Sequence, residues 1–166
     1  MLCRRRAQES CGRSTNGTRE VPADTKLQPV LDAAQVNALL AEVFPQLNEL
    51  AEEYQVVSVF PGGCTVRLNA TERHLRPGNT ISGASLFMLA DIGGYVCVLS
   101  HAGPDALSVT TNLSINFMRK AEPGPVDGHC RILKLGRGLM VFDIDIVAGG
   151  ETVAHAVGTY SIPPKR

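Results

Sequence analysis

Gly83-Ala84-Ser85-Leu86-Phe87-Met88-Leu89-Ala90-Asp91-Ile92-Gly93-Gly94-Tyr95-Val96-Cys97-Val98-Leu99 is the longest apolar run in the chain, and its reading decides the fold. The run is marginally short for a membrane span. Asp91 near its middle would cost about 2.5–3.5 kcal/mol in a transmembrane helix. Ser82 stands where an N-cap belongs. The run therefore predicts a helix over roughly 84–100, buried within a protein. Such a helix, apolar on nearly all sides, must be wrapped by other elements.

The flanking sequence supplies the wrapping. Upstream, Tyr54–Phe60 and Cys64–Ala70 read as strands joined by Pro61-Gly62-Gly63, a hairpin signal. Residues 71–82 are polar and turn-rich, hence a loop. Downstream, the odd positions from Leu107 to Phe117 are Leu107, Val109, Thr111, Leu113, Ile115 and Phe117, and the even ones are Ser, Thr or Asn. That strict period of two predicts one buried face and one wet face. Strands over Val126–Leu135, Leu139–Val147 and Thr152–Ile162 follow, with turns at Gly136-Arg137-Gly138 and Gly149-Gly150. Short turns make neighbours antiparallel.

Ahead of all these, Asp32 and Gln35 have capping-box spacing. Val36, Leu39, Leu40 and Val43 then recur at helical spacing until Pro45, which predicts a helix over about 33–43. A further helical turn is expected through Leu47–Glu52.

The layout is thus α+β: about six antiparallel strands curled round one long helix, the hotdog architecture. Each copy of such a sheet has unpaired edges, so pairing of two copies is expected.

Composition bounds the rest. In 166 residues, 16 Lys plus Arg balance 16 Asp plus Glu, so no basic surplus points to nucleic acid. The cysteines are Cys3, Cys11, Cys64, Cys97 and Cys130; the odd count and lack of a C-x-x-C pair read as free thiols in a reducing, cytoplasmic compartment. No Cys/His cluster has metal-ligand spacing, and no metal is expected. Residues 1–26 carry Arg4, Arg5, Arg6, Arg13, Arg19 and Lys26 with no apolar stretch, so a disordered basic tail is expected ahead of one domain over 27–166.

Asp91 is the most informative residue, because no other ionisable group lies in Leu86–Ile92. A carboxylate in apolar surroundings costs several kcal/mol unless it is hydrogen-bonded or its pKa rises. It is a candidate general base or nucleophile, or else an Asp bonded to a nearby backbone or reaching solvent. At the helix start, Ser82-Gly83-Ala84 offers free N–H groups that can hold an oxyanion, with Gly83 allowing close approach. Gly83 and Asp91 are about 12 Å apart along a straight helix, too far to act on one carbon from one chain. In a two-fold dimer the start of one helix can face the middle of the other. Thr110 and Asn112, on the polar face of the following strand, could supply partners there.

On these residues the chain resembles the acyl-CoA thioesterases of the hotdog superfamily, in the phenylacetate-degradation (PaaI-like) family. The resemblance spans about residues 50–162. It rests on G-x-x-x-x-x-x-A-D from Gly83 to Asp91, on Val109-Thr110-Thr111-Asn112-Leu113-Ser114-Ile115-Asn116-Phe117, and on Leu133-Lys134-Leu135-Gly136-Arg137. It implies that Asp91 activates water or attacks the thioester, and that the Gly83 N–H polarises the carbonyl. It also implies that Thr110, from the partner chain, orients the water. Coenzyme A, as part of the substrate, implies phosphate-binding bases such as Arg119, Lys120 and Arg137. No separate cofactor is implied, and the expected assembly is a homodimer or a dimer of dimers.

The chain departs from the family in two places: Ser82-Gly83-Ala84 replaces His-Gly-Gly, and Arg76 stands where an Asn or Gln is usual. Both affect substrate holding. They favour the second reading, a non-catalytic acyl-CoA-binding protein. A third is an acyl-thioester dehydratase or hydratase, suggested by His74 in HLRPG; its helix acid would fall where this chain has Met88.

Overall fold

The computed structural model describes residues 27–48, 53–104 and 107–164. Among them are eight strands and three α-helices, and the six strands of the main sheet and the long helix follow the expected order. Helix α1 is Ala33–Val43, α2 Pro45–Asn48 and α3 Gly83–Ala102. The strands are β1 Tyr54–Phe60, β2 Gly63–Asn69, β3 Leu75–Arg76, β4 Thr80–Ile81, β5 Val109–Phe117, β6 Pro125–Leu135, β7 Leu139–Ala148 and β8 Glu151–Ser161. Six of them form one antiparallel sheet in the order β1-β2-β6-β7-β8-β5, and α3 touches every strand of it. The expected tail over residues 1–26, and the helical turn beyond Asn48, lie outside the described residues.

Helix α3 lies close to the sheet because three positions lack side chains. A Cβ on Gly94 would stand 2.4 Å from the Phe142 ring, one on Gly93 2.6 Å from Ile144, and one on Gly158 2.5 Å from Phe142. The core fills the space between, with Leu89, Val96, Leu99, Met140, Phe142, Ile144 and Ile146 fully buried. Wrapping is nevertheless incomplete. Ala84, Phe87 and Met88 are exposed, with Asp91 and Tyr95 half-buried, so one stripe along the helix is uncovered within the chain. The outer face of the sheet carries cross-strand pairs instead: Arg67 with Asp127, Arg131 with Asp143, and His155 with Asp145.

The two sheet edges differ. At β1, the Asn37 side chain of α1 donates from Nδ2 to Val56 O and accepts from Val56 N–H, both at 3.0 Å. That helix is fixed in turn by the expected capping box, Gln35 N–H to Asp32 Oδ1 at 2.8 Å and Asp32 N–H to Gln35 Oε1 at 2.9 Å. At the other edge, β5 has no such cover among the described residues, and Val109 and Phe117 are more than half exposed.

The period-of-two reading of Leu107–Phe117 needs correction at its start. Leu107 precedes the strand, and a bulge interrupts β5: Thr110 opposes Tyr160, whereas Asn112 opposes Thr159. Directly opposed residues share a face, so Thr110 points with Tyr160 toward α3, and Asn112 points away with Thr159. Thr111, the extra residue, bonds its hydroxyl to Thr159 O at 3.1 Å. Bulges re-aim side chains in this way. The expected buried face is half-covered only at Leu113 and Ile115.

The loop over 71–82 also has more structure than expected: a short 3₁₀ turn, Glu72–His74, and the β3–β4 ladder. His74 is buried here. Its carbonyl accepts from Ser82 N–H at 2.8 Å and Ser85 Oγ at 3.1 Å, fixing where α3 begins.

Candidate active site

Asp91 emerges on the uncovered stripe of α3, half-buried and not enclosed by the core as an apolar helix suggested. Its Oδ1 accepts from Thr110 Oγ1 at 2.6 Å and from Tyr160 Oη at 2.8 Å. Hydrogen bonds to a charged acceptor are the stronger kind, so these two donors offset the water that the carboxylate loses on the helix. Thr110 belongs to the same chain as this Asp91. The resemblance had placed the threonine on the partner; the bulge in β5 brings it to the helix within one chain.

Tyr160 was missed in the sequence. It is 3% exposed, stacks on Tyr95 at 6.1 Å and 27°, and leans on Phe142 at 6.1 Å. Its hydroxyl also reaches the Asp91 main-chain oxygen at 2.9 Å. Burial, and beyond it the charge of Asp91, push the phenol well above its usual range, so it remains a donor. A signal existed: Ala154, Ala156, Gly158 and Tyr160 share one face of β8, and a buried tyrosine at the end of a row of small residues must find a partner for its hydroxyl.

The helix start is a second centre. Ser82 caps it, accepting from Ser85 N–H at 3.2 Å and lying 2.8 Å from Ser85 Oγ, so its hydroxyl is engaged. The N–H groups of Gly83 and Ala84 precede the first intrahelical acceptor, as at any helix start. Phe117 lies over Gly83, whose added Cβ would meet its ring at 3.2 Å. Ile81 N–H bonds Ala121 O at 2.8 Å. These two contacts bracket Arg119 and Lys120 and bring both beside the helix start. Arg119 lies 3.5 Å from Glu151, with both side chains exposed. Arg76 pairs with Thr80 in the ladder leading into α3 and is exposed.

Arg137 is elsewhere. It sits in the β6–β7 turn, where Leu139 pairs with Ser161 and Ser161 with Val109. That is the opposite end of β5 from Phe117, about 26 Å away at strand rise. The candidate residues of one chain therefore fall into two separate groups. Gly83, Arg76, Arg119 and Lys120 surround the helix start; Asp91 and Thr110 stand farther along, toward the Arg137 end. Asn112 joins neither in this chain.

Three cysteines that the spacing left unconnected come together. Cys64 and Cys130 are opposed across β2 and β6, Cys97 of α3 packs on them, and the three Sγ atoms lie within 4.8 Å of one another. All are fully buried, and burial pushes the Cys97 and Cys130 thiols up. Small size and apolarity account for this placement in the core.

Comparisons with known proteins agree on one family. The profile described as Thioesterase superfamily matches residues 78–155. The crystal structure of a protein named "putative thioesterase" from Silicibacter sp. TM1040 is 48% identical with a TM-score of 0.75, covering 83% of this chain and 96% of that one. A "putative esterase" of Pseudomonas aeruginosa is 33% identical over 100 residues, 59% of this chain and 74% of its own length. A variant of the phenylacetic acid degradation protein PaaI from Thermus thermophilus shares the fold at 22% identity and a TM-score of 0.62, covering 72% of this chain and 99% of that one. A sheet curled round one long helix, with a carboxylate on that helix and close relatives of this kind, makes the chain a member of the thioesterase superfamily with the hotdog fold.

Proposed function

We propose that the protein hydrolyses an acyl-CoA thioester to the free acid and CoA. Family membership supports thioester hydrolysis in general. The observation that carries the catalytic reading is Asp91, a carboxylate on the one uncovered stripe of an apolar helix, held by two hydroxyl donors. Asp91 takes a proton from water as the water oxygen attacks the thioester carbon; alternatively it attacks that carbon itself, displacing CoA thiolate to give an acyl–aspartyl anhydride that water then hydrolyses to the free acid and the restored carboxylate. The carbonyl oxygen gains charge and is met by the N–H at Gly83. The C–S bond breaks, and the CoA sulfur takes up the proton that the hydrolytic water gives up. No cofactor enters this scheme.

The two groups fit a two-fold dimer in which the helix start of one copy meets Asp91 and Thr110 of the other. Phe87 and Met88, 40% and 36% exposed, and the open edge of β5 are the surfaces that pairing would cover. Arg76, Arg119 and Lys120 would then meet the CoA phosphates beside the carbonyl-binding N–H.

A panel of aliphatic and aromatic acyl-CoAs, followed by release of thiol, tests the reading. Release by the wild-type protein and only a small residual rate with Asp91→Asn is the expected result. Tight retention of acyl-CoA without release would make the protein a binder, the reading favoured by Ser82 and Arg76. Loss of an enoyl chromophore would make it a hydratase, although Met88 stands where that chemistry needs an acid.

A further inference from the structure

Two hydroxyls converge on one oxygen of Asp91. Thr110 and Tyr160 both donate to Oδ1, whereas Oδ2 receives no hydrogen bond among the described residues. A carboxylate held in this way is no longer symmetric. Oδ1 is occupied, and Oδ2 keeps its lone pairs for whatever lies on the uncovered side of α3.

The two donors are not equivalent. Thr110 is exposed and stands on the open edge strand, next to the bulge. Tyr160 is rooted in the core between Tyr95 and Phe142, and the missing side chain of Gly94 makes room for its ring. Its hydroxyl lies 2.9 Å from the Asp91 main-chain oxygen as well as 2.8 Å from Oδ1. Satisfying a buried phenol requires a single acceptor, and the main-chain oxygen alone would do. The second contact ties the carboxylate to its own backbone and fixes the side-chain rotamer.

We propose that Tyr160 is the positioning residue of this site: it pins Oδ1 of Asp91 and thereby makes Oδ2 the oxygen that faces the reacting carbon or water. This rests on the hydrolase reading above. Tyr160 touches neither water nor substrate in this scheme and acts only through Asp91. Reacting groups must be held within about 0.5 Å and 10–20° of productive geometry, and misplacement by about 1 Å can cost 10²-fold in rate. With Thr110 still in place, loss of the tyrosine hydroxyl should cost about tenfold in kcat.

The test compares the wild-type protein, Tyr160→Phe, Asp91→Asn and the double variant. Hexanoyl-CoA and phenylacetyl-CoA are the probes, with thiol release as the signal and the thermal midpoint read on the same samples. Tyr160→Phe is expected to lower kcat about tenfold with KM within about twofold and the protein fully folded at the assay temperature. In the Asp91→Asn background the same change should have no further effect on the residual rate, since there is no longer a carboxylate to position. Wild-type kcat in Tyr160→Phe, a change confined to KM, or an equal loss with and without Asp91 would each overturn the positioning role. A kcat loss matched by a loss of folded protein would overturn it too. Asp91→Asn turning over at the wild-type rate would instead overturn the hydrolase reading itself, so the two failures are distinct.

Discussion

In the proposed dimer, a mixed pair of chains separates the intrachain pairing of Asp91 and Thr110 from a pairing across the interface. One chain carries Asp91→Asn and the other Thr110→Ala, co-expressed with different affinity tags and purified through both. The Thr110 hydroxyl donates to a carboxylate at 2.6 Å, a bond of the charge-assisted class worth about 1.5–3 kcal/mol. Its loss at the lower figure is about tenfold in rate, so the Thr110→Ala homodimer should retain about one-tenth of wild-type turnover. If the pair is intrachain, the mixed dimer has no intact pair. One chain lacks the carboxylate and the other works at about one-tenth, which leaves about 5% of wild-type activity. If the pair forms between chains, both lesions fall in one site and the other is intact, which leaves about 50%. Steady-state thiol release, normalised to dimer concentration, distinguishes these tenfold-different results. Activity near half of wild type would refute the intrachain assignment. The same experiment says nothing against a helix start contributed by the partner, because Gly83 is unchanged in both chains.

Gly158→Ala should destabilise the protein by about 1–3 kcal/mol through overpacking against the buried Phe142 ring; chemical denaturation measures this, and an unchanged midpoint would mean the ring moves freely. His101 is held neutral chiefly by burial, so its folded pKa lies below the ordinary value. The unfolded chain therefore binds the extra proton first, and stability present above about pH 6.5 should be lost as pH falls toward the folded value. His101→Gln should flatten that slope in melts taken across the range. Deleting residues 1–25 should leave turnover and thermal midpoint unchanged, whereas deleting 1–45 should lower the midpoint clearly by removing Val36, Leu40 and the Asn37 contact; equal midpoints would mean that α1 contributes nothing.

Local chemistry explains which parts of this fold were legible. The capping box, the hairpin at Pro61-Gly62-Gly63 and the helix after Ser82 each depend on residues close in sequence, and each stands where expected. The bulge in β5 was not legible. Thr110, Thr111 and Asn112 are similar in size and polarity, so no pattern marks the extra residue, yet it decides which of them faces Asp91. For the site, Asp91 stood out because a charge in an apolar run is conspicuous. Tyr160 did not, since its partner is 69 positions away and only strand register brings them together. The sequence leaves the exposure of Asp91 open for a related reason. Hydrophobicity reports that a helix avoids water, and it does not say whether the cover comes from the same chain or another.

The Asn37 contact bears on how many copies can join. By occupying the main-chain groups of Val56, that side chain acts as one rung of a missing strand and must be displaced before another strand can pair at that point of the β1 margin. A sheet with two open margins can add copies head to tail without end. Were one margin blocked, each copy would have a single place for strand addition, and two copies joining there would use up both. The asparagine therefore biases strand addition in the proposed dimer toward β5 and works against open-ended growth along the sheet.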